Sequence, residues 1–168
     1  AHLERSRTLA WHGRWQRETA AAWRARGGDV EGAFAAIRAR APGRVYAGLP
    51  LNWGQRYRIG HVPVYDLVAL AGLDAVGYLY HDFSHNADLM AAFDDRVPAV
   101  YEVFNVRYVV LPAESEIPPF YRLIGQFGHQ ALYEVATPGY FSLVDAEPAA
   151  FGPPADLPGA LERWIQST

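Results

Sequence analysis

The run Phe104-Asn105-Val106-Arg107-Tyr108-Val109-Val110-Leu111-Pro112 constrains this chain more than any other segment. Valine and tyrosine favour an extended pleated backbone, and Pro112 ends the ladder because it has no amide proton to donate. Val106, Tyr108 and Val110 alternate with Arg107, Val109 and Leu111, and only Arg107 interrupts the apolar character. A strand with so little polar surface needs cover on both faces. That requirement places it in a mixed or parallel sheet flanked by helices. Arg107 within such a strand calls for a salt-bridge partner, and Glu102, Asp74 and Glu134 are the candidates.

The rest of the chain supplies the helices. Residues 3–26 read as one helix carrying Trp11, Trp15 and Trp23 on an arc of roughly 120°. Gly27-Gly28-Asp29 reads as a stop, and residues 30–40 as a second helix, giving an N-terminal helical pair over residues 1–42. An α/β domain follows over residues 43–168. It starts with a strand at 44–49 and a loop at 50–54, then alternates: helix 63–72, strand 74–79, helices 86–93 and 97–104, and the strand at 106–111. A strand-rich end follows, with a hairpin at 121–127 and 130–135 and an edge strand at 140–144. A proline-rich segment and a short helix at 160–165 complete the order. Helices between the early strands favour crossover connections, so the expected fold is α/β with a mixed, largely parallel sheet and an antiparallel end.

Composition excludes several functions. With 168 residues, 51% of them hydrophobic, the chain is long enough to build a core and too apolar to be disordered. No cysteine is present, which removes disulfides and thiolate zinc sites. Every basic residue is arginine. Nine arginines face four acids in residues 1–44, and six face fourteen in residues 45–168. A basic segment on an acidic body is an internal complement or a membrane-surface patch, and the acidic body argues against nucleic acid. Tryptophan and arginine on the first helix both suit a headgroup zone, while the plain alternative packs that aromatic face on protein. The apolar runs are too short to cross a bilayer. No signal peptide is visible, and the chain opens on Ala1, which reads as a processed or excised fragment.

Candidate chemistry is sparse. Gly48, Gly54 and Gly60 surround a loop at the carboxyl end of the first strand, where open α/β sheets bind ligands. Trp53 and Tyr57 offer ring faces for stacking, and Arg56 and Arg58 offer guanidinium groups for phosphate or carboxylate. The glycine spacing matches neither the dinucleotide fingerprint nor the phosphate loop. His81 and His85 form the one close histidine pair, four residues apart as two metal ligands on a helix would be. Their segment follows a strand, and Ser84 or Asn86 there fits a helix cap better, so no metal and no cofactor is expected. No serine sits in a nucleophile elbow, so serine-based hydrolysis has no support.

Three phrases carry a family likeness: Gly43-Arg44-Val45-Tyr46, then Val103-Phe104-Asn105-Val106-Arg107-Tyr108-Val109-Val110, then Leu132-Tyr133-Glu134-Val135. Together they make residues 43–145 resemble the soluble extracytoplasmic part of YfhO-like polytopic bacterial membrane proteins, which share the architecture of lipid-sugar-dependent glycosyltransferases. The resemblance implies a parent chain in the cell membrane, with this domain on its extracytoplasmic side. Its partners would be the membrane portion of the same protein and a glycan or lipid-linked sugar. The catalytic acid would lie outside these residues, so no catalytic residue is assigned. The leading expectation is a non-catalytic accessory domain that supports acceptor or glycan access to a membrane-embedded transferase. The alternative is a freestanding α/β protein that binds a small molecule or carbohydrate, or acts on one, through the 50–60 loop.

Overall fold

The computed structural model of the chain describes residues 2–76, 90, 92–140, 159 and 163. Its elements are α1 (His2–Arg38), β1 (Arg44–Tyr46), a 3-10 turn at Trp53–Gln55, β2 (Arg58–Ile59), β3 (Val62–Pro63), α2 (Val64–Leu70), α3 (Pro98–Val103), β4 (Val106–Pro112), β5 (Arg122–Phe127) and β6 (Gln130–Glu134). The main sheet runs in the order β1-β4-β6-β5, and β2 and β3 form a separate two-stranded hairpin. β1 pairs with β4 in parallel, and Val45 makes a parallel bridge to Ala75 on its other side. The β4–β6 and β6–β5 pairings are antiparallel. This is the expected mixed α/β sheet, with its parallel part around β1 and its antiparallel end at the final hairpin. The helix expected at 86–93, the strands at 74–79 and 140–144 and the terminal helix at 160–165 fall largely or wholly outside the described residues.

Both sheet faces are covered, as the apolar central strand requires. On one face, Val30, Ala33, Phe34 and Ile37 of α1 join Val64, Leu67 and Val68 of α2 over Val45, Tyr108, Val110 and Leu132. On the other, Val100, Tyr101, Phe104 and Phe93 cover Tyr46, Val106, Val109, Leu111 and Tyr133. Fully burying each such side chain stabilises by about 1.5–3 kcal/mol, so these two layers dominate the folding energy.

The strand's alternation differs from the sequence reading. Val106 shares a face with Val109 and Leu111, whereas Tyr108 and Val110 face the other way. The register slips here, with Arg44 opposite Val106 but Val45 opposite Tyr108. Arg107 is the extra residue of this bulge. The expected salt bridge is absent: Arg107 Nη2 donates to the Thr137 carbonyl at 3.2 Å, and Glu134 is engaged by Arg122 instead. The bulge leaves Arg107 half-buried beside Gly43, so its charge keeps contact with solvent and needs no carboxylate.

The expected helical pair is also corrected, because α1 runs unbroken from His2 to Arg38. Trp23 folds over Gly27, where a Cβ would lie 2.8 Å from the indole carbons, so the glycine makes room for the ring. Asp29, the last residue of the expected stop, is engaged with the sheet instead. Its Oδ2 accepts from the His129 amide at 3.0 Å and lies 3.1 Å from His129 Nδ1, in the turn between β5 and β6. The β2–β3 turn grips α1 in a similar way: His61 Nε2 lies 2.7 Å from Glu18, and its ring stacks on Trp15 at 5.4 Å between centroids. Both turns read Gly-His, with Gly60 at φ 61° and Gly128 at φ 56°, a backbone region that glycine enters without steric cost.

Candidate functional site

The carboxyl end of β1 leads into a tight, hydrogen-bonded loop. Asn52 Oδ1 accepts from the Leu49 amide at 2.7 Å and the Gly54 amide at 3.0 Å, closing the turn that starts the 3-10 segment. Gly48 and Gly54 meet back to back, and a Cβ on Gly54 would stand 2.6 Å from the Gly48 carbonyl carbon. These glycines therefore serve a close approach of two backbones rather than a phosphate cradle.

Above this loop sits Asp95, from the turn that precedes α3. Its Oδ2 accepts from Trp53 Nε1 at 2.7 Å and from the Tyr46 hydroxyl at 3.1 Å. Asn52 Nδ2 donates to the same Tyr46 oxygen at 2.7 Å. The Tyr101 hydroxyl donates to the Asp95 carbonyl at 3.1 Å and is hydrogen-bonded to the Tyr121 hydroxyl. Burial raises the Tyr46 pKa far above the ordinary phenol value, and the Asp95 charge raises it further. Tyr46 is thus a neutral donor at any physiological pH, and Asp95 is held by two donors from opposite sides of the loop. Asp95 and Trp53 are both half-buried, so each keeps some contact with solvent.

The four residues singled out from the sequence do not converge. Trp53 packs on Tyr46 and Tyr57 with centroid distances of 5.6 Å and 5.9 Å, so its ring serves the core as well as Asp95. Tyr57 is buried and its hydroxyl is hydrogen-bonded to Gln130 Oε1, which takes it out of reach of a stacked ligand. Arg56 and Arg58 are exposed. The Arg58 side chain folds back, with Nε donating to the Gln55 carbonyl at 2.5 Å and Nη1 to the His61 carbonyl at 3.2 Å. The aromatic pair points inward and the arginine pair outward.

Asn52 and Asp95 are the site residues that sequence reasoning missed. An asparagine two residues before a glycine is a readable turn signal. Asp95 carries no such mark, because its partner Trp53 lies 42 residues away in the chain. His81 and His85 lie outside the described residues, and among the described ones no group of three metal-ligating side chains occurs.

A second polar cluster lies at the amino ends of β1 and β4. Asn105 follows α3 in the left-handed conformation, φ 49°, and its carbonyl accepts from the Arg44 amide at 2.9 Å. Thr137 Oγ1 donates to Asn105 Oδ1 at 3.1 Å, while the buried Nδ2 has no partner among the described residues. Further along, the Tyr140 hydroxyl donates to Asp74 Oδ2, so residues 137–140 cross beneath both strands. All of these bonds lie within the chain and tie its segments together.

Comparison of the chain with family models, with curated proteins and with solved structures finds no match, so the likeness to YfhO-like proteins rests on its three strand phrases alone.

Proposed function

We propose that this chain is a non-catalytic α/β recognition domain that binds a small hydroxylated ligand, such as a glycan unit, at the carboxyl end of β1. One observation carries the reading: the Asp95 carboxylate is fixed by Trp53 Nε1 and the Tyr46 hydroxyl, both donating to Oδ2. Oδ1 makes no hydrogen bond among the described residues, so it is left to accept from a ligand hydroxyl beside the partly open indole. Arg56, exposed on the following turn, adds a donor at the rim. Nothing in this arrangement pairs a nucleophile with a base, which is why the reading is recognition and not turnover. The location agrees with where open α/β sheets place ligands.

Calorimetric titration with a panel of neutral and anionic saccharides tests it. Saturable binding is expected, weakened by Asp95→Asn and by Arg56→Ala without loss of the folded near-ultraviolet dichroism. Absence of binding across the panel, or binding indifferent to both changes, sinks the proposal.

A second reading is an extracytoplasmic accessory domain of a multispanning transferase, helping acceptor or glycan reach it. The tryptophan and arginine side chains along the first half of α1 favour it. Mass spectrometry of the native polypeptide reads the point directly, and a native chain that lacks membrane spans removes this alternative.

A further inference from the structure

The two halves of α1 meet the body on different terms. None of residues 8–26 is buried, and Gly27 is. Beyond it Val30, Ala33, Phe34 and Ile37 are at most 4% exposed and lie against the sheet. Arg38 Nη2 adds a bond to the Ala71 carbonyl at 2.7 Å, and Asp29 accepts one from the His129 amide. Ahead of the glycines, the described contacts with the body gather at the β2–β3 turn. His61 stacks on Trp15 and pairs with Glu18, its amide donates to Thr19 Oγ1 at 3.4 Å, and Gly60 lies against Thr19. Ala22 touches the edge of the core as a half-buried residue. An ion pair with both side chains in solvent contributes little, and a single ring stack adds a modest amount. Four apolar side chains taken out of water hold far more firmly. One half is thus fastened by a clasp and the other by a core layer, which makes them separate units of local opening.

Gly28 stands at the boundary, and neither packing nor backbone geometry requires a glycine there. A Cβ would meet nothing within 4 Å, and the residue stays within the helix with no positive φ. Gly27 differs, because a Cβ there would strike the Trp23 indole. Glycine weakens a helix interior because its backbone has the most freedom to lose. What Gly28 supplies is that freedom, beside a neighbour that also has no Cβ. Sharp helix bends concentrate at such pairs of small residues.

We propose that Gly27-Gly28 is a hinge, and that the Gly60-His61 turn is the clasp that keeps the amino-terminal half of α1 in line with the rest. When His61 releases Trp15 and Glu18, α1 bends at the glycines and the angle between this half and the body changes. Residues 2–26 are long enough to keep helical form through the motion. Val30, Ala33, Phe34 and Ile37 stay seated, so the sheet is undisturbed. The motion is relative and serves equally whichever side is anchored. The inference stands whatever the loop at the end of β1 binds.

The chain has no cysteine, so a spin-label pair can be introduced without background. Gln16→Cys on the helix and Leu70→Cys at the end of α2 both use exposed positions. They lie roughly 30 Å apart along the axis, since the end of α2 sits beside Arg38. Pulsed dipolar spectroscopy of the labelled full chain reads the distances. His61→Ala removes the stack and the pair, and should raise the ratio of a second distance to the main one about tenfold. Gly28→Ala, at a position with room for the methyl, should lower that ratio about fivefold in the His61→Ala background. Far-ultraviolet dichroism should change little throughout. A single distance even in the His61→Ala protein, or a ratio indifferent to Gly28→Ala, overturns the hinge. Helical dichroism that falls in step with the second distance also overturns it, because the half would then be melting rather than swinging.

Discussion

Asn105 shows how a single residue can be required by the backbone and still be imperfectly housed. It follows α3 where the chain turns sharply into β4, and its φ of 49° lies where an L-residue other than asparagine or aspartate is strained. Its Oδ1 is satisfied by Thr137, yet its buried Nδ2 donates to none of the described residues. Losing the Thr137 bond costs about 1 kcal/mol, and leaving a donor unmet in the core costs about 1–3 kcal/mol, so the two oppose each other. Asn105→Gly, which keeps the turn and removes the orphan, is therefore expected to leave the urea unfolding free energy within about 1 kcal/mol of the parent. Asn105→Ala should lose about 1–2 kcal/mol more than the glycine variant, since it must hold the left-handed turn with a Cβ. Equal stabilities for the two variants would show that the turn relaxes. Tyr57 presents the opposite case, a side chain with the chemistry of a ligand platform and the setting of a core residue. Tyr57→Phe strands Gln130 Oε1, which sits in a residue only 2% exposed, and should cost about 1–3 kcal/mol in the same measurement. Unchanged stability would return Tyr57 to the candidate site. The composition of the 50–60 loop was legible, but which rings turn inward was not, because Gln130 and Asp95 are distant in the chain and carry no local signature.

Among the elements, α1 departs most from what its residues imply locally. Two adjacent glycines cost about 2 kcal/mol relative to alanines in a helix, and an aspartate right after them is a natural cap. Contacts on both sides of the glycines override that preference: Trp15, Glu18 and Thr19 meet the β2–β3 turn, while Val30, Ala33, Phe34 and Ile37 pack on the sheet. Strand phrases were readable for the converse reason. The 106–111 and 130–135 runs have extended propensity and burial pointing the same way, and the sheet forms there. The bulge at Arg107 was invisible because a register slip depends on the partner strand. The straight helix places Asp29 beneath the β5–β6 turn. Its pKa is held below the ordinary carboxylate value of 3.8, first by the His129 amide and then by the His129 side chain. A depressed folded-state pKa stabilises above the unfolded value, and the contribution fades as pH falls through the lower folded one. Asp29→Asn is therefore expected to lower stability by about 1 kcal/mol at neutral pH, with the gap to the parent closing below about pH 4. Chemical denaturation at several pH values measures this. A gap that persists unchanged into acid would mean that the asparagine disturbs packing rather than charge.

At the scale of the whole molecule, one layer is built of aromatic rings, and within it the Tyr101 and Tyr121 hydroxyls are hydrogen-bonded to each other. Tyr46, Phe93, Tyr101, Phe120, Tyr121 and Tyr133 form a continuous set of ring contacts on the α3 side of the sheet, with centroids between 4.6 Å and 6.3 Å. The edge-on geometries favour the positive rim of one ring against the face of the next. Burial raises the pKa of Tyr46, Tyr57, Tyr101 and Tyr121 far above the usual phenol value of 10, and that of Tyr140 to about 12. The neighbouring Asp95 charge adds to the shift at Tyr46, Tyr101 and Tyr121. The sign of the consequence follows from proton counts. A folded-state pKa raised above the unfolded one gives stability that is complete below about pH 10, and that drains away above it as the unfolded chain alone releases protons. Each such tyrosine contributes up to about 1.4 kcal/mol per pH unit of alkaline slope, so several together make a steep fall. The denaturation free energy should stay level between pH 7 and pH 9 and drop sharply above about pH 10. Tyrosinate absorbance from the buried set should appear together with the loss of near-ultraviolet dichroism, as one cooperative event. Tyr101→Phe removes one of the contributing protons and should flatten the slope by about one tyrosine's share. Tyrosinate that rises to its full extent near pH 10 while the dichroism stays native would mean that solvent reaches these hydroxyls, and the aromatic layer would then be an open surface rather than a core.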